Sequence, residues 1–312
     1  MPKRILVTPR SVTRSGHASL DKLRAAGWDV GFCQPGVQPG EDELCRLLPG
    51  CVGYLAGVEP VTARVLDAAT DLVVISRNGA GVDNVDLAAA EARGIVVLRA
   101  EGANARGVAE LTIGQLFALA RGVTACDAAL KRGGWERGSV GVELEGCTLG
   151  LVGCGRIGKL VASMALAIGM QVRAADPYPN ATFDPGLNFR HAPLDEVLRS
   201  ADFLSFHCPP APDGRPLLDA AAIAQMKRGA FLINTARYDL FDAGAVLAAL
   251  DSGHIAGVAL DVFDIEPPGD RRLAQHRRVI ATPHLGGFTR QSIDRAMAAA
   301  VDNLLAALKE VS

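Results

Sequence analysis

The sequence predicts an α/β protein built on mostly parallel sheets, and three observations point to it. Strand-like apolar runs alternate with helical patterns from end to end. The glycine-rich turn Gly150-Leu-Val-Gly153-Cys-Gly155-Arg156-Ile157-Gly158 stands between a strand-like run and a helical one. At 312 residues, with 49% apolar and 21% charged side chains, the chain is long enough for about two domains with filled cores.

In the first half, Ile5–Thr8 reads as a strand, followed by a helix near Ser19–Ala26 and a strand at Val30–Cys33. A helix near Glu41–Leu47, a short strand at Val52–Ala56 and a helix near Thr62–Ala68 come next. Leu72–Ser76 reads as a strand, Val85–Ala92 as a helix and Val96–Leu98 as a strand. Asn104 to Lys131 reads as one long helix whose apolar face is broader than a single core needs, so part of it is expected to cover a neighbouring subunit. Thr148–Val152 is then a strand, Lys159–Ile168 a helix and Gln171–Ala175 a strand. Further strands are expected at Phe203–His207, Ala230–Thr235, Gly257–Asp261 and Val279–Thr282. Helices are expected near Leu194–Arg199, Ala220–Gln225, Ala243–Ser252 and, finally, Ile293–Leu308. No Gly/Ser linker, low-complexity tract or simple repeat separates the halves.

Strand, glycine turn and helix, in that order, make a dinucleotide-binding unit. Gly153 permits the tight turn, Gly155 lets the backbone approach a pyrophosphate, and Gly158 allows the helix to pack closely on the strand. The N–H groups and dipole at the helix start favour phosphate charge. Asp176, at the end of the next strand, can accept hydrogen bonds from a ribose 2′-OH and would repel a 2′-phosphate, so the expected cofactor is NAD rather than NADP. The plainer alternative is a glycine-rich turn with no ligand.

Composition narrows the function classes. A net charge of -2 gives no electrostatic reason to expect nucleic acid or an anionic membrane as partner. Met1-Pro-Lys-Arg leads directly into Ile5-Leu-Val, so no signal peptide is expected, and no apolar run is long enough to span a bilayer. Seven scattered cysteines, without a CxxC pair, make neither a disulfide nor a metal framework. A reducing cytoplasm fits, no metal site is expected, and Cys154 and Cys208 are candidates for reaction with thiol reagents.

Four predicted strands of the second half end in Asp176, His207, Asn234-Thr235-Ala236-Arg237 and Asp261, where open parallel sheets place their ligands. Glu266 and His284, the latter within Thr282-Pro-His-Leu-Gly-Gly287, are further candidates. Hydride transfer to a 2-keto acid needs a cation for the carboxylate, which Arg provides bidentately. It needs an acid working near neutral pH, which suits His, and a carboxylate to orient that His and support its charged form. Arg237, His284 and Glu266 supply these three types. Taken singly, a strand-end Arg is more commonly a surface charge, and Pro-His-Leu-Gly more commonly only a turn.

These motifs, together with Ile75-Ser-Arg-Asn-Gly79-Ala-Gly81-Val-Asp83, Gly102-Ala-Asn104, Gly134-Trp135, His207-Cys-Pro209 and Leu260-Asp-Val-Phe263, resemble the D-isomer-specific 2-hydroxyacid dehydrogenases over nearly the whole chain. This is the family of phosphoglycerate dehydrogenases and glyoxylate/hydroxypyruvate reductases. The resemblance implies a Rossmann-type NAD-binding domain, residues 101–284, inserted into a flavodoxin-like α/β substrate-binding domain made of residues 1–100 and 285–312. It implies Arg237, Glu266 and His284 as the catalytic residues. It places the carboxylate of a 2-keto or 2-hydroxy acid on the loop from Asn78 to Gly81, bound by the N–H groups of Ala80 and Gly81. NAD contacts are implied at Arg156, Ile157, Asp176, Thr235, Asp261 and Gly287, with His207 and Pro209 along the adenosine side. Domain closure over the substrate and a homodimer formed through the NAD-binding domain are implied as well.

The sequence departs from the family at several places. Tyr238-Asp239 replaces small residues beside Arg237, where it either narrows the pocket, pairs with the Arg or points to solvent. Pro210-Ala211-Pro212 lacks a common Thr, and Phe288 is bulkier than usual. The chain stops soon after the His motif, so no C-terminal regulatory extension is expected. Arg10, Arg14 and Arg77 lie in loops of the first domain where they would hold a distal anion of a phosphoglycerate-like or other substrate, the commoner alternative being surface ion pairs. The rival reading is an NAD(H)-binding, corepressor-like regulator with vestigial activity, since fold and cofactor alone do not define function.

Overall fold

The structure, a computed structural model, describes residues 4–310, and helices and strands alternate through them. Two compact units result. One contains the chain up to Asn104 and again from Arg290, and the other is Ala105–Thr289, inserted between those two segments.

The first unit contains β1 (Arg4–Val7), α1 (Arg10–Ser15), α2 (Leu20–Ala25), β2 (Asp29–Phe32), α3 (Glu41–Leu47), β3 (Cys51–Ala56), α4 (Ala63–Ala68), β4 (Val74–Arg77), α5 (Leu87–Ala92) and β5 (Val96–Arg99). Its sheet has the order β2-β1-β3-β4-β5 with every pairing parallel, the flavodoxin-like order. Ile5, Leu6 and Val7 are fully buried, as expected of a central strand covered on both faces. Side-chain caps start two of the helices: Thr62 accepts from the Val65 N–H ahead of α4, and Asp86 from the Ala89 N–H ahead of α5. The C-terminal helix, Arg290–Glu310, packs Met297, Ala300, Val301, Leu304 and Leu308 onto Ile5, Val7, Leu55 and Val74. The spacing of those five residues is that of one helical stripe.

The second unit begins with α6 (Ala105–Arg121) and α7 (Val123–Lys131). The single long helix expected from Asn104 to Lys131 is therefore two. Gly122, at φ 60° and ψ 28°, adopts the left-handed conformation and breaks it. Then follow β6 (Thr148–Val152), α8 (Arg156–Ala167), β7 (Gln171–Ala175), β8 (Phe189–His191), α9 (Leu194–Ser200), β9 (Phe203–Phe206), α10 (Ala220–Gln225), β10 (Ala230–Asn234), α11 (Ala243–Asp251), β11 (Ile255–Leu260) and β12 (Val279–Ala281). The sheet order is β12-β11-β10-β9-β6-β7-β8, all parallel. The chain moves outward from β6 to β8 and then crosses back to β9. The strand order therefore reverses beside β6, and a crevice for ligand opens at the carboxyl ends of β6 and β9.

Among the strands and α-helices above, two were not expected. α1, Arg-Ser-Val-Thr-Arg-Ser, buries only Val12 and so has no apolar period to reveal it. β8 is a three-residue edge strand with a mixed exposure pattern. The glycine-turn helix starts at Arg156, ahead of the expected Lys159.

Candidate active site

The glycine turn closes against the end of β9. Gly153 has φ +95°, and a Cβ there would lie 2.5 Å from the His207 carbonyl oxygen. A Cβ on Gly158 would lie 2.3 Å from the Gly153 carbonyl, so helix and strand approach each other as closely as the backbone allows. Beside Gly155, by contrast, nothing lies within 4 Å of a Cβ position. That open cradle at the start of α8, between Arg156, Ile157 and the turn, fits a pyrophosphate. Arg156 is exposed, and Ile157 half-buries its side chain against the core.

Asp176 follows β7. Its Oδ2 accepts from the Cys154 N–H at 2.7 Å and its Oδ1 from the Tyr178 N–H at 2.8 Å. One carboxylate thus ties the glycine turn to the β7 loop, and each oxygen keeps a lone pair for a ribose hydroxyl. The donor set fits a dinucleotide with a free 2′-OH. His207, at the end of β9, has Nε2 2.9 Å from Ser205 Oγ, while Nδ1 is sealed from solvent and has no partner among the described residues. Burial pushes its pKa down to about 3, so the ring is neutral at physiological pH. Pro209, beyond it, is exposed.

The end of β10 is organised by Asn234, which is fully buried. Its Nδ2 donates to the Arg237 carbonyl at 2.8 Å, and its Oδ1 accepts from the Ala236 N–H at 3.0 Å. Thr235 Oγ1 lies 3.1 Å from Thr112 Oγ1 on α6. Arg237 is half-buried and its Nη1 donates to the Ala236 carbonyl at 2.8 Å. Of the two unusual residues beside it, Asp239 is exposed. Tyr238 packs on Phe241, with ring centroids 5.6 Å apart, and burial raises its pKa.

After β11 and β12 come the remaining candidates. His284 Nδ1 lies 2.9 and 2.8 Å from the two oxygens of Glu266. With Nδ1–H donated to the carboxylate, Nε2 is the ring nitrogen left for proton exchange. His284 has φ 53°, a left-handed conformation that a non-glycine residue adopts only when its surroundings impose it. Asp261 supplies that constraint. It is 1% exposed, and its Oδ1 accepts from Thr282 Oγ1 at 2.5 Å and from the Leu285 N–H at 2.7 Å. Its Oδ2 accepts from the Gly286 N–H at 2.7 Å. The carboxylate expected to face the cofactor therefore holds the loop that carries His284. Gly287, next in the loop, is half-buried.

All of these groups lie at the carboxyl ends of one parallel sheet. The predicted carboxylate loop belongs to the other unit, after β4. Asn78, Ala80 and Gly81 are half-buried there. The N–H groups of Ala80 and Gly81 meet no acceptor among the described residues. Arg77 is buried and bonded internally, whereas Arg10 and Arg14 are exposed. Burial also pushes Cys154 and Cys208 up to about 11, against thiol reactivity. Asn234 was singled out by its strand-end position but given no role, and Thr112 was not singled out. A buried amide must find partners, and Asn234 finds them in the turn that carries Arg237.

The NAD binding domain model of the D-isomer specific 2-hydroxyacid dehydrogenases matches residues 113–286. D-3-phosphoglycerate dehydrogenase of Rattus norvegicus is 42% identical over 257 residues, 82% of this chain and 48% of that protein. The Mycobacterium tuberculosis (strain H37Rv) enzyme of the same name is 40% identical over 260 residues, 83% of this chain and 49% of its own. The chain thus spans about half the length of these relatives. A crystal structure of a Thermus thermophilus protein matches with TM-score 0.86 and 39% identity, over 98% of this chain and 97% of that one. The apo D-lactate dehydrogenase of Escherichia coli matches with TM-score 0.84 and 26% identity, over 99% and 98% of the two chains. Among the described residues no helix is long and apolar enough to cross a membrane, and no group of three or more His, Cys, Asp or Glu is placed to hold a metal ion. On the match across the cofactor-binding unit and the identity along four-fifths of its length, this chain belongs to the D-isomer-specific 2-hydroxyacid dehydrogenase family.

Proposed function

We propose that the protein is an NAD-dependent D-2-hydroxyacid dehydrogenase that interconverts a 2-keto acid and a D-2-hydroxy acid. The observation that carries this reading is His284, gripped through Nδ1 by both oxygens of Glu266 at the sheet edge that also bears the glycine turn. NAD, when bound, supplies or accepts the hydride at C2. In the reducing direction His284 Nε2 gives its proton to the forming alkoxide, and Glu266 holds the ring in that tautomer. Arg237 binds the substrate carboxylate and polarises the carbonyl. The N–H groups of Ala80 and Gly81 are assigned to the substrate, which makes the first unit the substrate-binding domain and the second the NAD-binding domain. Gly153, Gly155, Arg156, Ile157, Gly158, Asp176, His207, Pro209, Thr235, Asp261 and Gly287 form the NAD site. Three of the four compared proteins are named as dehydrogenases, which favours an enzyme over a corepressor-like regulator.

The test is turnover of NADH against a panel of 2-keto acids. His284→Ala should lower kcat by about 10²–10⁴ while NADH affinity is retained. A wild-type protein that binds NADH and reduces none of the panel rejects the proposal.

We also propose a homodimer formed through the NAD-binding unit. Phe117, Val123, Leu130, Trp135, Val140 and Val142 are exposed apolar residues within one segment, with Trp135 76% and Val140 93% exposed. Sedimentation gives the mass, and a monomer at micromolar concentration rejects this part. Seven free cysteines support a reducing compartment such as the cytoplasm, which fractionation checks.

A further inference from the structure

Arg77 closes β4 and is 9% exposed. Its guanidinium is turned inward, beneath the loop that follows. Nε donates to Asn84 Oδ1 at 2.9 Å, and Nη1 donates to the Asn78 carbonyl at 3.3 Å. A Cβ on Gly79 would come within 3.1 Å of Nη1, so the guanidinium is the floor on which the loop rests. Asn84 passes the linkage on, donating Nδ2 to the Glu59 carbonyl at 2.6 Å and to the Gly57 carbonyl at 3.4 Å.

A buried guanidinium needs a countercharge. Glu59 is 1% exposed, and its Oε1 accepts from the Tyr54 hydroxyl at 2.6 Å, from the Gly57 N–H at 2.7 Å and from the Thr8 hydroxyl. Burial lowers the Arg77 pKa, and the Glu59 charge works against that shift.

The loop backbone is engaged group by group. The Asn78 N–H donates to the Ala56 carbonyl at 2.9 Å, the Gly79 N–H to the Arg77 carbonyl at 2.8 Å, and the Ala100 N–H to the Gly79 carbonyl at 2.9 Å. With the Asn78 carbonyl held by Arg77, both peptide groups of Asn78 and Gly79 are committed. The next two N–H groups, of Ala80 and Gly81, are the first left to donate elsewhere.

We propose that Arg77 is a positioning residue for the carboxylate-binding N–H pair of Ala80 and Gly81, and not a ligand for the far end of the substrate. This rests on the dehydrogenase reading given above. The planar guanidinium serves two acceptors in fixed directions, Asn84 Oδ1 and the Asn78 carbonyl, which a single ammonium on a flexible stem does not reproduce. Whatever distal group the substrate carries, Arg77 acts on its C1 carboxylate through the loop.

The test compares wild type, Arg77→Lys and Asn84→Ala on paired 2-keto acids, one bearing a distal anion and one without. Both variants should raise KM by about tenfold or more, by the same factor for both substrates, with kcat changed by less than about threefold. NADH binding, read by fluorescence, should be unchanged. Hydrogen exchange at the Asn78 and Gly79 amides should quicken in both variants, a readout independent of turnover. A KM rise confined to the distal-anion substrate overturns the proposal, as does an Arg77→Lys protein with wild-type KM and wild-type exchange. If Arg77→Lys fails to fold, Asn84→Ala keeps both buried side chains, Arg77 and Glu59, and carries the same comparison. Failure of the wild type to reduce any keto acid would reject the dehydrogenase reading, while the exchange measurement would still judge the loop.

Discussion

Asp261→Asn tests the loop that carries the proposed proton donor. The wild-type carboxylate accepts three hydrogen bonds, from Thr282 Oγ1, the Leu285 N–H and the Gly286 N–H. An asparagine keeps one acceptor oxygen. Its amide nitrogen then faces an N–H or hydroxyl donor in a site that is 1% exposed. Hydrogen bonds to a charged group contribute about 1.5–3 kcal/mol each, and a stranded buried N–H costs about 1–3 kcal/mol. Allowing for relaxation, we expect about 2–4 kcal/mol of lost stability in this unit. The same loop holds His284 at φ 53°, a conformation that costs about 1–3 kcal/mol and that the Asp261 contacts impose. Released from them, the imidazole should drift, and a displacement of about 1 Å is worth about 10²-fold in rate. The assay pairs denaturant unfolding with kcat at saturating keto acid. Asp264→Asn, at an exposed position nearby, is the control and should change stability by less than about 0.5 kcal/mol. An Asp261→Asn enzyme with wild-type kcat and an unmoved denaturation midpoint would refute the argument.

Other outcomes follow from the same contacts. Asp176→Asn keeps an acceptor for the Tyr178 or Cys154 N–H but removes the charge, so preference for NAD over NADP should fall by about tenfold or more, or 1.4 kcal/mol; wild-type preference for NADPH would contradict the assignment. His207 stays neutral in the folded protein down to about pH 3, whereas the unfolded chain protonates it near 6.5. Its contribution to stability is therefore intact above about pH 6.5 and is lost as pH falls, by about 1.4 kcal/mol per unit until about pH 3. His207→Gln should flatten that part of the stability profile, and an unchanged slope would show that the ring titrates normally. Cys154 and Cys208, at about 11, should alkylate about 100-fold more slowly at pH 7.5 than a thiol of pKa 9.0, as peptide mass spectrometry after iodoacetamide would show.

The parallel α/β layers were legible because buried strands and amphipathic helices have different apolar periods. The break at Gly122 was not, because a glycine within an Ala- and Leu-rich stretch costs a helix only about 1 kcal/mol and leaves the period intact on either side. His284 and Glu266 were recognisable by type, but their contact spans two strand ends and exists only once β11 and β12 pair in register. Asp261 was placed at a strand end, and β11 does end at Leu260. That its oxygens are occupied by the 282–286 loop depends on tertiary packing. Arg77 was expected to hold a distal anion because it stands in the loop of the predicted carboxylate cradle and its guanidinium suits an anion. The countercharge that permits its burial, Glu59, lies on the loop after β3, which becomes its neighbour only when β3 and β4 pair.

The helix Arg290–Glu310 fills a core whose other wall, including Ile5, Val7 and Leu55, is made near the start of the chain. During synthesis those strand residues emerge before the helix that covers them and wait, uncovered, until residues 290–310 have left the ribosome. The inserted unit has all its strands available earlier and can close while the outer one is still open. For this interval the nascent outer sheet presents an apolar face of the kind that chaperones hold and that other chains pair with. Shortening the chain by that one helix should therefore leave a folded cofactor-binding unit attached to an aggregation-prone remainder.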